Sequence, residues 1–245
     1  MKRHVAICVA ALLGAASQSQ AATIIWGSPT AINSESDVSL NGTTVMARQS
    51  TGSPYGGQAD QTVNGVLFSG SANTQGGVTF SLDSGFSGYD PNSYVLGAAG
   101  TPGTLSTAYQ TMLTGAWFGS GGSGAFSLTG LTVGQEYQLQ IWVADYRQFP
   151  PNVYSRSQTF TSGSTSGPLT YLQTDGSGIN LGASSGSYIL GQFTADNATQ
   201  TINLFSADSQ QLNAFQLRAV PEPASLGLVG LGIAAAGWRR LRRRR

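Results

Sequence analysis

Three reactive residue types are nearly absent from this chain of 245 residues. Cysteine, histidine and lysine each occur once, as Cys8, His4 and Lys2, so residues 22–245 contain none of them. A domain built from those residues has no disulfide staples, no cysteine or lysine nucleophile, no histidine general base and no zinc site that needs histidine or cysteine. Its stability must come from packing and sheet hydrogen bonds, which about 200 residues can supply.

Charge is also scarce, at 9% of residues, and it is unevenly placed. Between residues 22 and 220 four arginines stand against ten acidic residues, a net charge of −6, whereas the tail is basic. An acidic body disfavours nucleic-acid binding. The many glycines and small polar residues are compatible with disorder, but hydrophobic residues recur at strand spacing, so we expect a folded body.

The first 21 residues have the pattern of a cleavable secretory leader. Residues 2–4 are basic, residues 5–16 are apolar, and the small Ser19 and Ala21 stand at the cleavage positions. The alternative is a retained signal anchor, but an apolar run of this length is too short to favour one. We therefore expect signal peptidase to release a chain that begins at Ala22.

The C-terminus combines an extended joint, a short apolar run and a basic end. Pro221 and Pro223 fix their own φ and keep Val220 and Glu222 out of helical geometry. Residues 224–238 form the apolar run, which as a helix spans roughly 22 Å against a hydrocarbon core of roughly 30 Å. The run is followed by six arginines, Arg239, Arg240, Arg242, Arg243, Arg244 and Arg245.

These arginines cannot cross a bilayer easily, and the positive-inside bias places them in the cytoplasm. Their long side chains can also reach the interface and extend the short transmembrane helix. The body upstream then lies outside the inner membrane. The alternatives are an ordinary tail anchor and a buried core helix of the same length.

The joint, the apolar run and the arginines together resemble the PEP-CTERM sorting signal. The resemblance implies that an exosortase, a membrane-embedded transpeptidase of Gram-negative bacteria, processes the chain near Val220, Pro221, Glu222 and Pro223. It further implies delivery to the cell surface or the extracellular matrix. The chain is thus divided into a signal peptide (1–21), an ectodomain (22–219) and a sorting signal (220–245).

Alternating hydrophobicity predicts an all-β ectodomain, an antiparallel β-sandwich of the jelly-roll-like kind. The clearest strand runs from Glu136 to Asp145, and we expect one of its faces to be core. That face carries Tyr137, Leu139, Ile141 and Val143. Similar alternation appears in Val78, Phe80 and Leu82, in Phe126 and Leu128, in Ile202 and Leu204, and in Phe215, Leu217 and Ala219.

One helix and two terminal strands complete the predicted fold. Helical spacing from Leu105 to Leu113 predicts a short helix, with Thr104 as its N-cap and Gly115 at its end. We expect the strands at 23–26 and 214–220 to lie at sheet edges. The segment from Leu128 to Tyr137 resembles the strand-turn-strand entry of galactose-binding-like jelly rolls, with Gly130 and Gly134 at the bends.

The second face of the 136–145 strand offers a candidate glycan site. Trp142 alternates there with Gln138 and Gln140, and an exposed aromatic ring could stack on a sugar while amides bind hydroxyls. The alternative is plain packing under a loop or helix. Trp117 is either a second stacking platform or a plug over one end of the core.

Two arginines near the end of the same strand extend this candidate site. Arg147 and Arg156 flank a loop with a Pro-Pro break and could bind a carboxylate or an acidic sugar. The alternative is an ion pair with Asp145 that fixes the loop.

Catalysis and cofactors have little support in the sequence. A carboxylate-dependent glycoside hydrolase is the alternative function, since ten carboxyl groups are available, but no motif poises a pair of them. Scattered oxygens could bind calcium without any recognisable motif. We therefore predict a non-enzymatic exported protein, with a structural or carbohydrate-contacting role and no cofactor.

Overall fold

The computed structural model describes residues 22–50, 59–86, 88–90, 105–119, 122–144, 155–162, 170–175, 186–206 and 209–221. Within these ranges the regular secondary structure is almost entirely strand, with one α-helix and one short 3-10 turn. The strands are β1 (Ile25–Trp26), β2 (Thr30–Ala31), β3 (Thr43–Gln49), β4 (Gln61–Val63), β5 (Val66–Phe68), β6 (Thr74–Gln75), β7 (Val78–Leu82), β8 (Gly88–Asp90), β9 (Ala116–Phe118), β10 (Gly122–Thr129), β11 (Glu136–Val143), β12 (Ser155–Thr161), β13 (Thr170–Asp175), β14 (Ser187–Thr194), β15 (Thr199–Ser206), β16 (Gln211–Leu212) and β17 (Ala214–Ala219). The helix α1 is Thr107–Thr114, and the 3-10 turn is Glu35–Asp37.

Two six-stranded antiparallel sheets make up most of the molecule. Sheet I has the order β1-β14-β11-β17-β3, with β2 also paired to β14. Sheet II has the order β13-β12-β15-β10-β7-β6. Smaller sheets are formed by β16-β9-β8 and by the hairpin β4-β5.

The inner faces of sheets I and II enclose one apolar core. Phe215 of β17 lies 4.8 Å from the ring of Phe80 and 5.4 Å from that of Phe126, both in sheet II. The predicted core face of β11 is confirmed, because Tyr137, Leu139, Ile141 and Val143 are all buried in this cluster. Alternation in β7, β10, β15 and β17 also places the predicted residues inward, so the period of two correctly identified the inner layer.

A second apolar cluster covers the outer face of sheet I. It is formed where α1 and the β4-β5 hairpin pack onto that sheet, and Trp142 lies within it. The predicted helix is confirmed, although its N-cap is Ser106, whose Oγ accepts a hydrogen bond from the backbone N–H of Tyr109 at 3.2 Å. Sheet I is therefore buried on both faces over part of its area.

The predicted bends at Gly130 and Gly134 are confirmed. Both residues have positive φ, +97° and +85°. At Gly130 a Cβ would also lie 2.2 Å from the carbonyl oxygen of Gly77, so only glycine fits without moving the backbone.

The two terminal strands differ from expectation. β1 lies at the end of sheet I, as predicted, but β17 is paired with β11 on one side and β3 on the other. The prediction that the last strand forms a sheet edge is therefore wrong. Alternation shows which way side chains face, but it contains no information on which strands are neighbours.

No helix among the described residues is long and apolar enough to span a membrane. The predicted signal peptide and the predicted transmembrane segment at 224–238 lie outside the described residues.

Candidate sorting junction

The strand β17 leads directly into the Pro-Glu-Pro joint. The backbone N–H of Val220 donates to the carbonyl oxygen of Glu136 at 2.9 Å, which extends the ladder one residue beyond the strand. The side chain of Gln135 donates from Nε2 to the carbonyl oxygen of Val220 at 2.7 Å. Both backbone polar groups of Val220 are thus bound to the folded domain. Pro221 is exposed and, as a proline, has no N–H to continue the ladder.

Arg218 fixes the loop that surrounds this end of β17. Its Nε donates to the carbonyl oxygen of Asn41 at 2.9 Å and its Nη2 to that of Leu40 at 3.1 Å. Further bonds reach the carbonyl oxygen of Gly42 and the hydroxyl of Thr44. The guanidinium is buried, which lowers the pKa of Arg218 from its usual value. The N–H groups of its guanidinium therefore hold the loop at 40–42 through neutral carbonyl acceptors, without an ion pair among the described residues.

The same loop lies close against the junction backbone. Gly42 has φ +80°, and a Cβ there would lie 2.2 Å from the carbonyl oxygen of Ala219. A side chain at this position would push the loop away from the last residue of β17. Arg218 and Gly42 together keep residues 40–42 beside the exit of the chain.

Gln138 and Gln140 are buried and bind this loop region rather than solvent. Gln140 accepts from the backbone N–H of Ser39 at 2.9 Å and donates to the carbonyl oxygen of Asp37 at 2.7 Å. Gln138 shares a short hydrogen bond with the hydroxyl of Ser39. Gln216, opposite Gln140 on β17, donates to its Oε1 at 2.7 Å. These amides are therefore used internally, which corrects their interpretation as ligands for sugar hydroxyls.

Trp142 is also buried, with no exposed surface. Its ring meets Phe68 edge-on at 5.4 Å, and its Nε1 donates to the hydroxyl of Tyr109 at 2.9 Å. Of the two alternatives for Trp142, packing is the one observed. Because α1 and the β4-β5 hairpin cover this face, the ring cannot stack on a sugar in this structure.

Comparison with known families decides what the junction is. A model of the PEP-CTERM protein-sorting motif matches residues 219–244. The chain carries a PEP-CTERM sorting motif. It indicates an exported protein that is sorted through the membrane as an exosortase substrate. No curated protein and no solved structure matches this chain.

The PEP-CTERM match begins at Ala219, the last residue of β17. The sorting motif and the central part of sheet I therefore adjoin without an intervening linker. Residues 222–245, which include the rest of the motif, the apolar run and all six tail arginines, lie outside the described residues.

Trp117 packs inside the molecule, away from the PEP-CTERM junction. Its ring is 5.2 Å from that of Phe80, and the guanidinium of Arg48 lies 5.7 Å from it. Trp117 thus forms part of the core, as the plug alternative expected. Arg48 is buried beside it and donates to the carbonyl oxygen of Ser69 at 3.0 Å. Desolvation lowers the pKa of Arg48 to about 10, partly offset by the charge of Asp60.

The remaining predicted site residues are not brought together by the described structure. Arg147 and Asp145 lie outside the described residues, and so does the side chain of Arg156, whose backbone belongs to β12. The binding site proposed for the two arginines, and its ion-pair alternative, stay predictions.

Metal chemistry has no candidate in the described part of the chain, where no group of three histidine, cysteine, aspartate or glutamate side chains is placed to hold an ion. Calcium binding elsewhere stays a prediction.

Sequence reasoning missed Gln135 and Arg218 as junction residues. Arg218 was visible only as one of four arginines in an acidic body, although alternation places it on the same face as Gln216. An arginine three residues before the Pro-Glu-Pro joint was the available signal. Its acceptors in the loop at 40–42 lie more than 170 positions away in sequence, so no local pattern could identify them.

Proposed function

We propose that this chain is exported with its leader (1–21) removed by signal peptidase, is held in the inner membrane by residues 224–238, and is processed at Val220 to Pro223 by an exosortase. The observation that carries this proposal is the PEP-CTERM motif that adjoins β17. The arginines after the apolar run stop translocation there, so the joint stays on the outer side.

The local structure supports processing at this joint. A protease or transpeptidase needs an extended backbone with free hydrogen-bonding groups, and prolines keep the joint extended. Among the described residues, which end at Pro221, Val220 is the last whose backbone is hydrogen-bonded to the domain. The chain accessible to the enzyme then begins at Pro221, and processing beyond this point leaves sheet I intact.

The released ectodomain, in our proposal, is a jelly-roll-like β-sandwich that serves at the cell surface or in the exopolysaccharide matrix, without enzymatic activity. A structural or carbohydrate-contacting role is supported by the outer face of sheet II. Alternate positions of β7, β10 and β15 there are exposed or half-buried and carry uncharged polar residues: Thr79, Ser81, Ser127, Thr129, Thr201 and Asn203. Phe205 is exposed on the same face.

Processing is tested by mass spectrometry of the C-terminal peptide, in producing cells with and without the exosortase. We expect the exported pool to lack the arginine tail only when the enzyme is present. An intact Arg245 in the mature exported pool would contradict the proposal.

The carbohydrate-contacting role is tested by retention of the secreted protein on immobilised neutral polysaccharides. We expect Phe205→Ala to reduce retention without changing the melting temperature, because the ring is on the surface. Equal retention of the variant and the parent would leave the structural role alone.

A further inference from the structure

The end of the domain from which the tail leaves carries two large exposed hydrophobic side chains. We call this end the membrane-proximal end; it consists of the loops at 39–42, 130–135 and 195–198, which meet around Val220. Leu40 is 56% exposed and Val133 is 62% exposed. Single exposed hydrophobics are common, so their meaning depends on where they lie.

Both residues lie on loops that contact the last residues of the domain. The carbonyl oxygen of Leu40 accepts a hydrogen bond from Arg218, two residues before Val220. Val133 is two residues before Gln135, which binds the carbonyl oxygen of Val220. The loops are held together by hydrogen bonds, such as that from the N–H of Gly134 to the carbonyl oxygen of Ala195 at 2.7 Å. Leu40 and Val133 therefore lie on loops beside the exit of the tail.

The length of chain beyond Val220 limits how far this end can stand from a bilayer. Four residue steps separate Val220 from Ala224, where the apolar run begins, and they extend at most roughly 14 Å. The headgroup layer takes up roughly 6 Å of that on one side of the membrane. Under about 8 Å then remains between the domain and the headgroups.

The short apolar run reduces this gap further. As the helix of the proposed tether, these 15 residues would span roughly 22 Å, less than the hydrocarbon core of roughly 30 Å. This mismatch favours drawing the tail inward or thinning the bilayer. The size scaling of compact domains gives a body about 40 Å across. Because the tether is much shorter than this, the domain cannot tilt far relative to the membrane.

The charges at this end indicate what kind of lipid contact is formed. The described residues of its three loops include the exposed Asp196 and no lysine or arginine, while the neighbouring Arg218 is buried. Contact through attraction to anionic headgroups is therefore disfavoured. The favourable contribution to membrane contact is then the burial of Leu40 and Val133 in the lipid interface.

We propose that, before processing, the membrane-proximal end rests on the bilayer surface with Leu40 and Val133 in the lipid interface. This inference depends on the proposed membrane tether at 224–238. It assigns a lipid-contacting surface to the ectodomain itself, which orients the domain and presents the Pro-Glu-Pro joint at a fixed depth.

Single labels can test this directly, because residues 22–245 contain no cysteine. Leu40→Cys and Val133→Cys are each labelled with an environment-sensitive fluorophore in the full chain from Ala22 to Arg245. The chains are reconstituted in phosphatidylcholine vesicles with and without nitroxide-labelled lipid. Phe205→Cys is the matched control, since Phe205 is 55% exposed and lies six residues along β15 from Thr199, roughly 20 Å from the membrane-proximal end.

We expect nitroxide lipid to quench the labels at 40 and 133 at least twofold more than the label at 205. Adding phosphatidylglycerol should not increase this quenching, because the three described loops of this end contain no lysine or arginine. Equal quenching at all three positions, in chains that float with the vesicles, would overturn the inference and leave the tether intact. Chains that do not float with vesicles would overturn the tether and this inference together.

A second copy of the chain is the other occupant that the experiment detects. Label emission at position 40 or 133 that changes with protein concentration in the absence of vesicles would assign these residues to self-association. That result would also overturn the lipid contact.

Discussion

The two faces of β11 are both buried, but they are buried by different chemistry. The inner face places Leu139 and Ile141 in the apolar core between the sheets. The outer face places Gln138 and Gln140 under the segment at 37–39, and Trp142 under α1. The inner face is stabilised by removal of apolar area from water, whereas the amide part of the outer face depends on complete hydrogen bonding. A polar residue in a strand therefore does not by itself indicate a solvent-facing surface.

Removing β17 gives the largest expected effect, because this strand contributes to both faces at once. A chain that ends at Asn213 leaves β11 and β3 without their shared neighbour and opens the core around Phe80 and Phe126. We expect loss of cooperative thermal unfolding by circular dichroism. A chain that ends at Val220 is the matched control and should melt cooperatively. A chain ending at Asn213 that melts at the control temperature would contradict the central position of β17.

Substituting methionine on each face of β11 sharpens the comparison. Leu139 and Gln140 are neighbours with no exposed surface, so Leu139→Met and Gln140→Met introduce the same side chain on opposite faces. We expect Leu139→Met to cost under about 1.5 kcal/mol, as a volume-conserving change.

Gln140→Met should cost about 2–4 kcal/mol, because the N–H of Ser39, the amide of Gln216 and the carbonyl of Asp37 all lose a partner. Urea denaturation of the two variants measures the difference. Equal losses in the free energy of unfolding would mean that the hydrogen bonds of Gln140 add no stability beyond the packing of its side chain.

The smallest expected effect is a pH dependence of stability at the outer face of β11, where Tyr109 of α1 covers Trp142. Burial raises the pKa of Tyr109 well above its usual value of 10.0, so it stays neutral in the folded protein while the unfolded chain ionises near pH 10. The stabilisation from this group is complete below pH 10 and is lost as pH rises, by about 1.4 kcal/mol per unit.

Tyr109→Phe should be less stable than the parent at pH 7 by about 1–3 kcal/mol, because Trp142 Nε1 loses its acceptor. The gap should close above pH 10, since phenylalanine does not ionise. Denaturation of both chains from pH 7 to 11 measures this. The lowered pKa of Arg48 is common to both chains and cancels. A gap that stays constant with pH would show that Tyr109 is not protected from ionisation.

Local patterns predicted the inner layer and the tail but not the coverage of the outer face. The period of two placed Leu139 and Phe215 inward because it depends only on neighbouring residues. The hydrogen bond from the N–H of Ser39 to Gln140 spans 101 positions, and that from Gln140 to Asp37 spans 103. No short window of sequence contains both partners.

The candidate site also has a part that local sequence predicted and a part that depends on long-range contacts. The Pro-Glu-Pro joint was predicted because its chemistry is contiguous, and the family match covers the same residues. Trp142 was assigned to packing or to glycan binding, and sequence alone could not decide, because α1 reaches that face through a long-range contact. The role of Arg218 was missed for the same reason.

The central position of β17 has a mechanical consequence for the proposed membrane-tethered state. A drag force on the body, resisted at Val220, pulls along the axis of β17. The ladders to β11 and β3 then bear the load side by side in shear, so many hydrogen bonds must fail together. An outermost strand pulled in the same direction would have one such ladder to resist the force instead of two.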